Sequence, residues 1–158
     1  MKASTRVKPS ATREATITRT FDAPRNRVFQ MWTEPERVAQ WWGPHGFTNP
    51  VCEVDARPGG AVRIHMRAPD GVVYPMSGTF RDIAAPERLV LATVAEDQQG
   101  RPLLEGMNTV TFEEQAGRTK ITVQASAVPL VPIAERMVAG MEQGWTQSLE
   151  RLADSLRQ

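Results

Sequence analysis

The chain has 158 residues, 41% apolar and 23% charged, which suits one domain of ordinary size whose core needs no covalent staple. Its 19 basic and 18 acidic side chains leave a net charge of +1, so no strong field steers it toward nucleic acid or a membrane surface. A single cysteine, Cys52, excludes an intramolecular disulfide and fits a reducing, cytoplasmic setting, and no run approaches the ~18 apolar residues of a membrane span.

Residues 1–14 carry Lys2, Arg6, Lys8 and Arg13 without an apolar stretch. They read as a flexible polar tail rather than a signal peptide, leaving 15–158 as a single domain. Over 15–21, Ile17, Arg19 and Phe21 alternate with Thr16, Thr18 and Thr20, the period-two pattern of a strand. Asp22 is then a candidate N-cap, with Pro24 in the first turn of a short helix striped by Val28, Phe29, Met31 and Trp32. Thr33 or Glu34 with Pro35 starts a second short helix carrying Val38, Trp41 and Trp42, and Gly43-Pro44 ends it.

From Thr48 onward the period changes to two. Cys52 and Val54 alternate with Glu53 and Asp55, and Pro58-Gly59-Gly60 forces a turn. Val62, Ile64 and Met66 alternate with Arg63, His65 and Arg67, a half-buried strand that Pro69-Asp70-Gly71 turns back. Tyr74, Met76, Gly78 and Phe80 share a face of the next strand, where Pro75 predicts an edge or a bulge. The apolar run 89–94 has no assignable facing; Gln98 to Pro102 is a polar turn. Strands over 107–113 and 119–125 follow, with Val110 and Phe112 on one face and Ile121, Val123 and Ala125 on another. Short turns between consecutive strands make an antiparallel meander the economical topology.

After Pro129 and Pro132 a helical period runs to about Leu156, roughly 25 residues or ~37 Å. Ala134, Met137, Val138, Met141, Trp145, Ser148, Leu149 and Leu152 fall on one broad face. One long amphipathic helix covers a wide sheet only if the sheet curls around it. The predicted fold is therefore α+β: a curved antiparallel sheet, a long C-terminal helix, and two short helices after the first strand. Such a helix cannot fill the curl with side chains alone, so a hollow is expected.

Several segments carry a family resemblance: Phe21-Asp22-Ala23-Pro24, Trp41-Trp42-Gly43-Pro44, Cys52-Glu53-Val54-Asp55, and Arg57-Pro58-Gly59-Gly60. So do residues 66–71, Pro86-Glu87-Arg88-Leu89, and Gly144-Trp145. In this order and spacing the chain, from about Ala15 to Leu156, resembles bacterial proteins similar to the C-terminal domain of the heat-shock-protein-90 ATPase activator. These AHSA-type proteins belong to the START, polyketide cyclase and Bet v allergen (SRPBCC) superfamily. The resemblance implies a helix-grip fold. It does not choose among carriers, cyclases and partner-binding domains, all of which share that fold.

Chemistry-bearing motifs are sparse. Gly59-Gly60 lies between strands rather than ahead of a helix, so it is no phosphate loop. His45 and His65 lack a Cys or His partner at ligand spacing, and neither a metal nor a cofactor is expected. His65 reads as a solvent-facing strand residue, His45 as a loop residue at one mouth of the hollow. Cys52 reads as buried rather than reactive, and Glu53 and Asp55 as surface charges. Gly140 and Gly144 would each cost a helix ~1 kcal/mol against alanine, so close approach to a strand or neighbour is expected there, ahead of a ligand passage.

Trp32, Trp41, Met66, Tyr74, Met76, Phe80, Phe112, Met137, Met141 and Trp145 are expected to point inward and are the candidate ligand-binding lining of the hollow. They describe adaptable pocket walls and a filled core equally well. Three functions follow. The first is binding of a small hydrophobic molecule in the hollow. The second is association with a chaperone, as the resemblance implies. The third, less favoured, is cyclase or hydrolase chemistry, which needs an ionisable group inside and has only Glu36, Glu105 or His45 to offer. No catalytic residue is assigned. A homodimer paired through strand edges or the outer sheet face is a further expectation.

Overall fold

The computed structural model describes residues 12–157. Most of the tail expected over 1–14 therefore lies outside the described residues. Arg13 and Glu14 already belong to the first strand, opposite Ala127 and Ser126.

Strand β1 (Arg13–Phe21) is followed by helices α1 (Arg25–Thr33) and α2 (Pro35–Trp41). Strands β2 (Thr48–Val54), β3 (Ala61–Arg67), β4 (Val73–Ala84), β5 (Arg88–Glu96), β6 (Pro102–Gln115) and β7 (Arg118–Pro129) then run in sequence. A 3-10 turn (Pro132–Ala134), helix α3 (Glu135–Ala139) and helix α4 (Met141–Leu156) close the chain. All seven strands form one antiparallel sheet in the order β1-β7-β6-β5-β4-β3-β2. β2 to β7 are thus a meander, and β1 joins it beside the last strand.

This order places β1 and β2 at opposite edges, so residues 22–47 must cross from one edge to the other. α1 and α2 make that crossing. α1 packs on β6 and β7, and α2 on β2 and α4, so the pair plugs one end of the curl. Glu34 and Pro35 start α2 as expected. Asp22 does not cap α1: Pro24 holds the cap position and the Asp22 side chain is 93% exposed. A capping oxygen bonds the N–H two or three residues on. Pro24 has no N–H, and that of Arg25 already donates to Glu114 Oε1 at 2.9 Å.

The strand faces fall as the alternation predicts. Val62, Ile64, Phe80, Val110, Phe112, Ile121, Val123 and Ala125 are buried. In β5, Leu89 and Leu91 take the inner face while Val90 stays partly exposed. Pro75 pairs with His65 of β3, but pairing of β4 with β5 begins only at Met76, so β4 is one-sided where proline lacks a donor. The register shift in β4 lies further on, between Phe80 and Asp82. Gly78 marks a close approach of backbones within the sheet: a Cβ there would lie 2.7 Å from the Ala92 carbonyl oxygen.

The long C-terminal helix is α4, 16 residues or about 24 Å at 1.5 Å per residue. The single helical run expected from Pro132 is broken at Gly140, whose ψ of 3° leaves the helical region. Glycine gains least from helical order, and here the break redirects the chain. α3 packs on β7, whereas α4 packs on α2 and β1.

Candidate functional site

The space between sheet and helices divides into two halves. Near α1 and α2 it is filled. Phe29 meets Phe112 edge-on at 5.0 Å between centroids, Phe112 meets Trp32 at 6.0 Å, and Trp32 meets Trp41 at 4.6 Å. Trp32 stacks on Trp145 at 5.7 Å, and Trp145 meets Trp42 at 5.6 Å. This chain of rings is a wall. Beyond Trp42 and Trp145 lies a hollow of about 440 Å³, overwhelmingly apolar and partly open to solvent.

The hollow has a cause in the residues on both sides of it. One row across the sheet reads Gly78, Thr93, Gly106 and Ala127, successive partners from β4 to β7, and the last three of these line the hollow. No large side chain rises from that row. Above it α3 and α4 present Gly140 and Gly144 between Met137, Met141, Trp145 and Ser148. A Cβ on Gly144 would meet no atom within 4 Å. Small residues thus face small residues, and packing fails locally.

Of the residues expected to line such a space, Met66, Tyr74, Met76, Met137, Met141 and Trp145 do so. Trp32, Trp41, Phe80 and Phe112 lie instead in the filled half, each at most 5% exposed. Phe80 and Phe112 share the inner sheet face with the lining residues but sit at the plugged end, and Trp32 and Trp41 belong to the plugging helices α1 and α2. Alternation gives the face of a residue and not its depth along the strand. His45 does not line the hollow: its side chain is exposed, with Nε2 2.7 Å from Glu150 Oε1. Its neighbours Gly43 and Pro44 do line it, as do Trp42 and Phe47.

Sequence reasoning passed over Thr93, Asn108 and the loop residues. Asn108 had a signal. Stepping back by two from Phe112 and Val110 reaches a polar residue at an inward position. Phe47 had none, because its place depends on a loop. That loop is held by α4. Gly43 N donates to Ser148 Oγ at 3.1 Å, and His45 N to Gln147 Oε1 at 3.1 Å. Gly43 adopts φ of +97°, and a Cβ there would come within 2.9 Å of Met66 Sδ.

Arg151 completes the clamp. Its Nη1 donates to the carbonyls of Trp42, Gly43 and Pro44 at 2.9–3.0 Å, and Nη2 to that of Gln40 at 3.3 Å. Burial pulls its pKa down, and these carbonyl dipoles answer its charge. Arg151→Met is expected to destabilise the protein by about 2 kcal/mol, because hydrogen bonds to a charged group are lost together. Amide exchange over 43–47 should quicken in that variant, and Arg151→Lys should restore only part, since an ammonium cannot fork across several carbonyls. Unchanged exchange would deny Arg151 this role.

Electrostatics inside the hollow are spare. Among the described residues, no Asp, Glu, Lys, Arg or His side chain lines it. Glu36 and Glu105 are exposed. No group of three or more His, Cys, Asp or Glu among the described residues is placed to hold a metal ion. Cys52 is half-buried in β2, and burial, reinforced by Glu36 and Glu53, pushes its thiol up to about 11. The native state therefore keeps the proton at pH values where an ordinary thiol ionises. Alkylation by iodoacetamide should be slow at pH 8 and keep rising beyond pH 10, whereas in urea it should level off about two units earlier. A native rate that levels off near pH 9 would contradict this.

A curved antiparallel sheet gripping a C-terminal helix, with an open apolar hollow between them, defines a helix-grip protein of the α+β class. A family model described as Activator of Hsp90 ATPase homolog 1-like protein matches residues 22–157, and the chain belongs to that family. Among solved structures, it is similar to a protein from Arthrobacter aurescens at 27% identity, covering 91% of this chain and 86% of that one with a TM-score of 0.79. A protein from Mycobacterium smegmatis is also 27% identical, covering 89% and 88% with a TM-score of 0.74. An AHSA1 protein from Silicibacter pomeroyi shares the fold, with a TM-score of 0.78 at 23% identity over 92% and 98%. No curated protein matches the chain. No helix among the described residues is long and apolar enough to cross a membrane.

Proposed function

We propose that the protein binds a small hydrophobic molecule in the hollow. The observation that carries this is the hollow itself: about 440 Å³, walled by Met66, Met76, Met141 and Trp145 and open at one side. That volume falls within the ~300–1,000 Å³ of small-molecule sites. Methionine walls adapt to a guest, and the ring wall behind them is rigid. Among the described residues, the lining offers no general acid or base except the Tyr74 phenol, which favours binding over cyclase or hydrolase chemistry.

A thermal-shift screen of flat aromatic and lipid-like compounds tests this. A ligand at a hundred times its Kd adds about 2.7 kcal/mol of stability. For a chain of this size that raises the midpoint by roughly 5–10 °C. If no compound in the screen raises it, the hollow is a packing defect.

The family description supports a second reading, association with a chaperone of the heat-shock-protein-90 class, to which we add a cytoplasmic, stress-linked role as part of the same proposal. Calorimetry against a bacterial chaperone of that class decides it, and no heat of binding at tens of micromolar would remove it. We also propose a homodimer, either edge to edge through β1 or β2 or through the outer sheet face, where Met107 is 40% exposed. Light scattering at a monomeric mass would exclude it.

A further inference from the structure

We infer that the molecule taken up by the hollow is uncharged and carries a hydrogen-bond donor, a hydroxyl being the simplest, set against Asn108 and Thr93 on the sheet. This rests on the hollow being a binding site and names the chemistry of its ligand.

Asn108 is 8% exposed, on the inner face of β6 between Gly106 and Val110. Its Nδ2 donates to the Leu91 carbonyl at 3.3 Å, which turns Oδ1 the other way. Among the described residues nothing donates to that oxygen. A carboxamide at an inward sheet position, flanked by Leu91 and Ala125, costs stability unless both ends are satisfied. The fold satisfies one end. The other belongs to a residue that lines the hollow.

Thr93 supplies a second polar group at the same place. A Cβ on Gly106 would lie 2.7 Å from Thr93 Oγ1 and 3.9 Å from Asn108 Nδ2. Around Gly106, which lines the hollow, the nearest polar atoms are thus the Thr93 hydroxyl, the Ser126 carbonyl at 3.5 Å and the Asn108 amide, with apolar walls beyond. The Thr93 hydroxyl also has no partner among the described residues. A ligand hydroxyl above Gly106 would donate to Asn108 Oδ1 while exchanging a hydrogen bond with Thr93. An ionised head group has no such welcome. With no basic or acidic side chain in the lining, a carboxylate or ammonium would lose its water and find no counter-charge.

Three ligands with one body separate the terms: naphthalene, 2-naphthol and 2-naphthoate, titrated calorimetrically at pH 7 into the full chain. We expect 2-naphthol to bind at least tenfold tighter than naphthalene and than naphthoate, since a site built around a hydroxyl rejects what lacks it. Thr93→Val, which keeps shape and removes the hydroxyl, should shrink the naphthol preference at least threefold and leave naphthalene within twofold. Asn108→Leu should abolish the preference altogether, and if that variant does not fold, Thr93→Val still decides. Equal binding of naphthol and naphthalene, naphthoate binding as tightly as naphthol, or an undiminished preference in Thr93→Val would each overturn the inference while leaving the cavity a binding site. If none of the three ligands binds wild type, this inference falls, and the binding role is decided by the wider thermal-shift screen.

Discussion

Gly144→Leu is expected to abolish ligand binding while leaving the fold intact and no less stable. Gly144 lies on the face of α4 that carries Met141, Trp145 and Ser148 toward the hollow, and a Cβ there meets no atom within 4 Å. A leucine side chain would therefore grow into open space rather than into packed neighbours. Glycine inside a helix is about 1 kcal/mol less favourable than alanine, so the smaller change Gly144→Ala should raise stability by roughly that amount. Leucine should keep most of that gain and add burial of its apolar surface at about 25 cal/mol per Å². Any compound that raises the wild-type midpoint should lose at least a hundredfold in affinity for Gly144→Leu. Measured together, urea unfolding and calorimetry separate the two effects. A destabilised Gly144→Leu would mean that the helix, not the hollow, requires glycine there. Undiminished affinity would place the binding site elsewhere.

The second large effect concerns two tryptophans that the apolar stripes of the two short helices treat alike. Trp41 is fully buried, and its Nε1 donates to the Met31 carbonyl at 2.7 Å. In a continuous helix that carbonyl would accept from the residue four further on, which is Pro35 and has no N–H. The indole of Trp41 thus replaces the hydrogen bond that the break between α1 and α2 removes. Trp32, its neighbour at 4.6 Å, is equally enclosed, but its Nε1 is buried without an acceptor among the described residues. Trp41→Phe and Trp32→Phe each remove part of a packed ring system. Only Trp41→Phe also strands a buried carbonyl, whereas Trp32→Phe discards a donor that was already unsatisfied. Trp41→Phe should therefore be less stable than Trp32→Phe by about 1–3 kcal/mol in urea unfolding. Equal midpoints would show that the Met31 carbonyl finds water once the indole is gone.

These two tryptophans also mark where sequence reading runs out. Trp32, Trp41, Phe80 and Phe112 were expected to line the hollow beside Met66 and Met76, because all of them fall on inward positions. The expectation of facing holds for all six. The depth differs, since α1 and α2 fill one end of the curl and reach no further. Asp22 failed as a cap for a local reason that two residues explain, Pro24 without an N–H and Arg25 with its N–H engaged by Glu114. Gly140 was visible as a weak point in a helix. That it would break the helix and turn α3 over β7 was not, because the break is decided by what the two pieces pack against.

Period-two alternation, turn residues and one amphipathic helical face are local properties, so the sequence by itself determined the strands, the inner faces of all but β5, and the meander, and its ordered motifs pointed to the family. The hollow is not local. Gly78, Thr93, Gly106 and Ala127 come from four strands and meet in one row only through the register of three ladders. Gly144 stands opposite them only once α4 has been gripped by the curled sheet. Whether small residues coincide in space depends on pairings between distant segments, and no periodicity along a single strand reports it. The tertiary structure alone therefore decided that methionines bound an open space, that the tryptophans wall it off, and that Asn108 lines it.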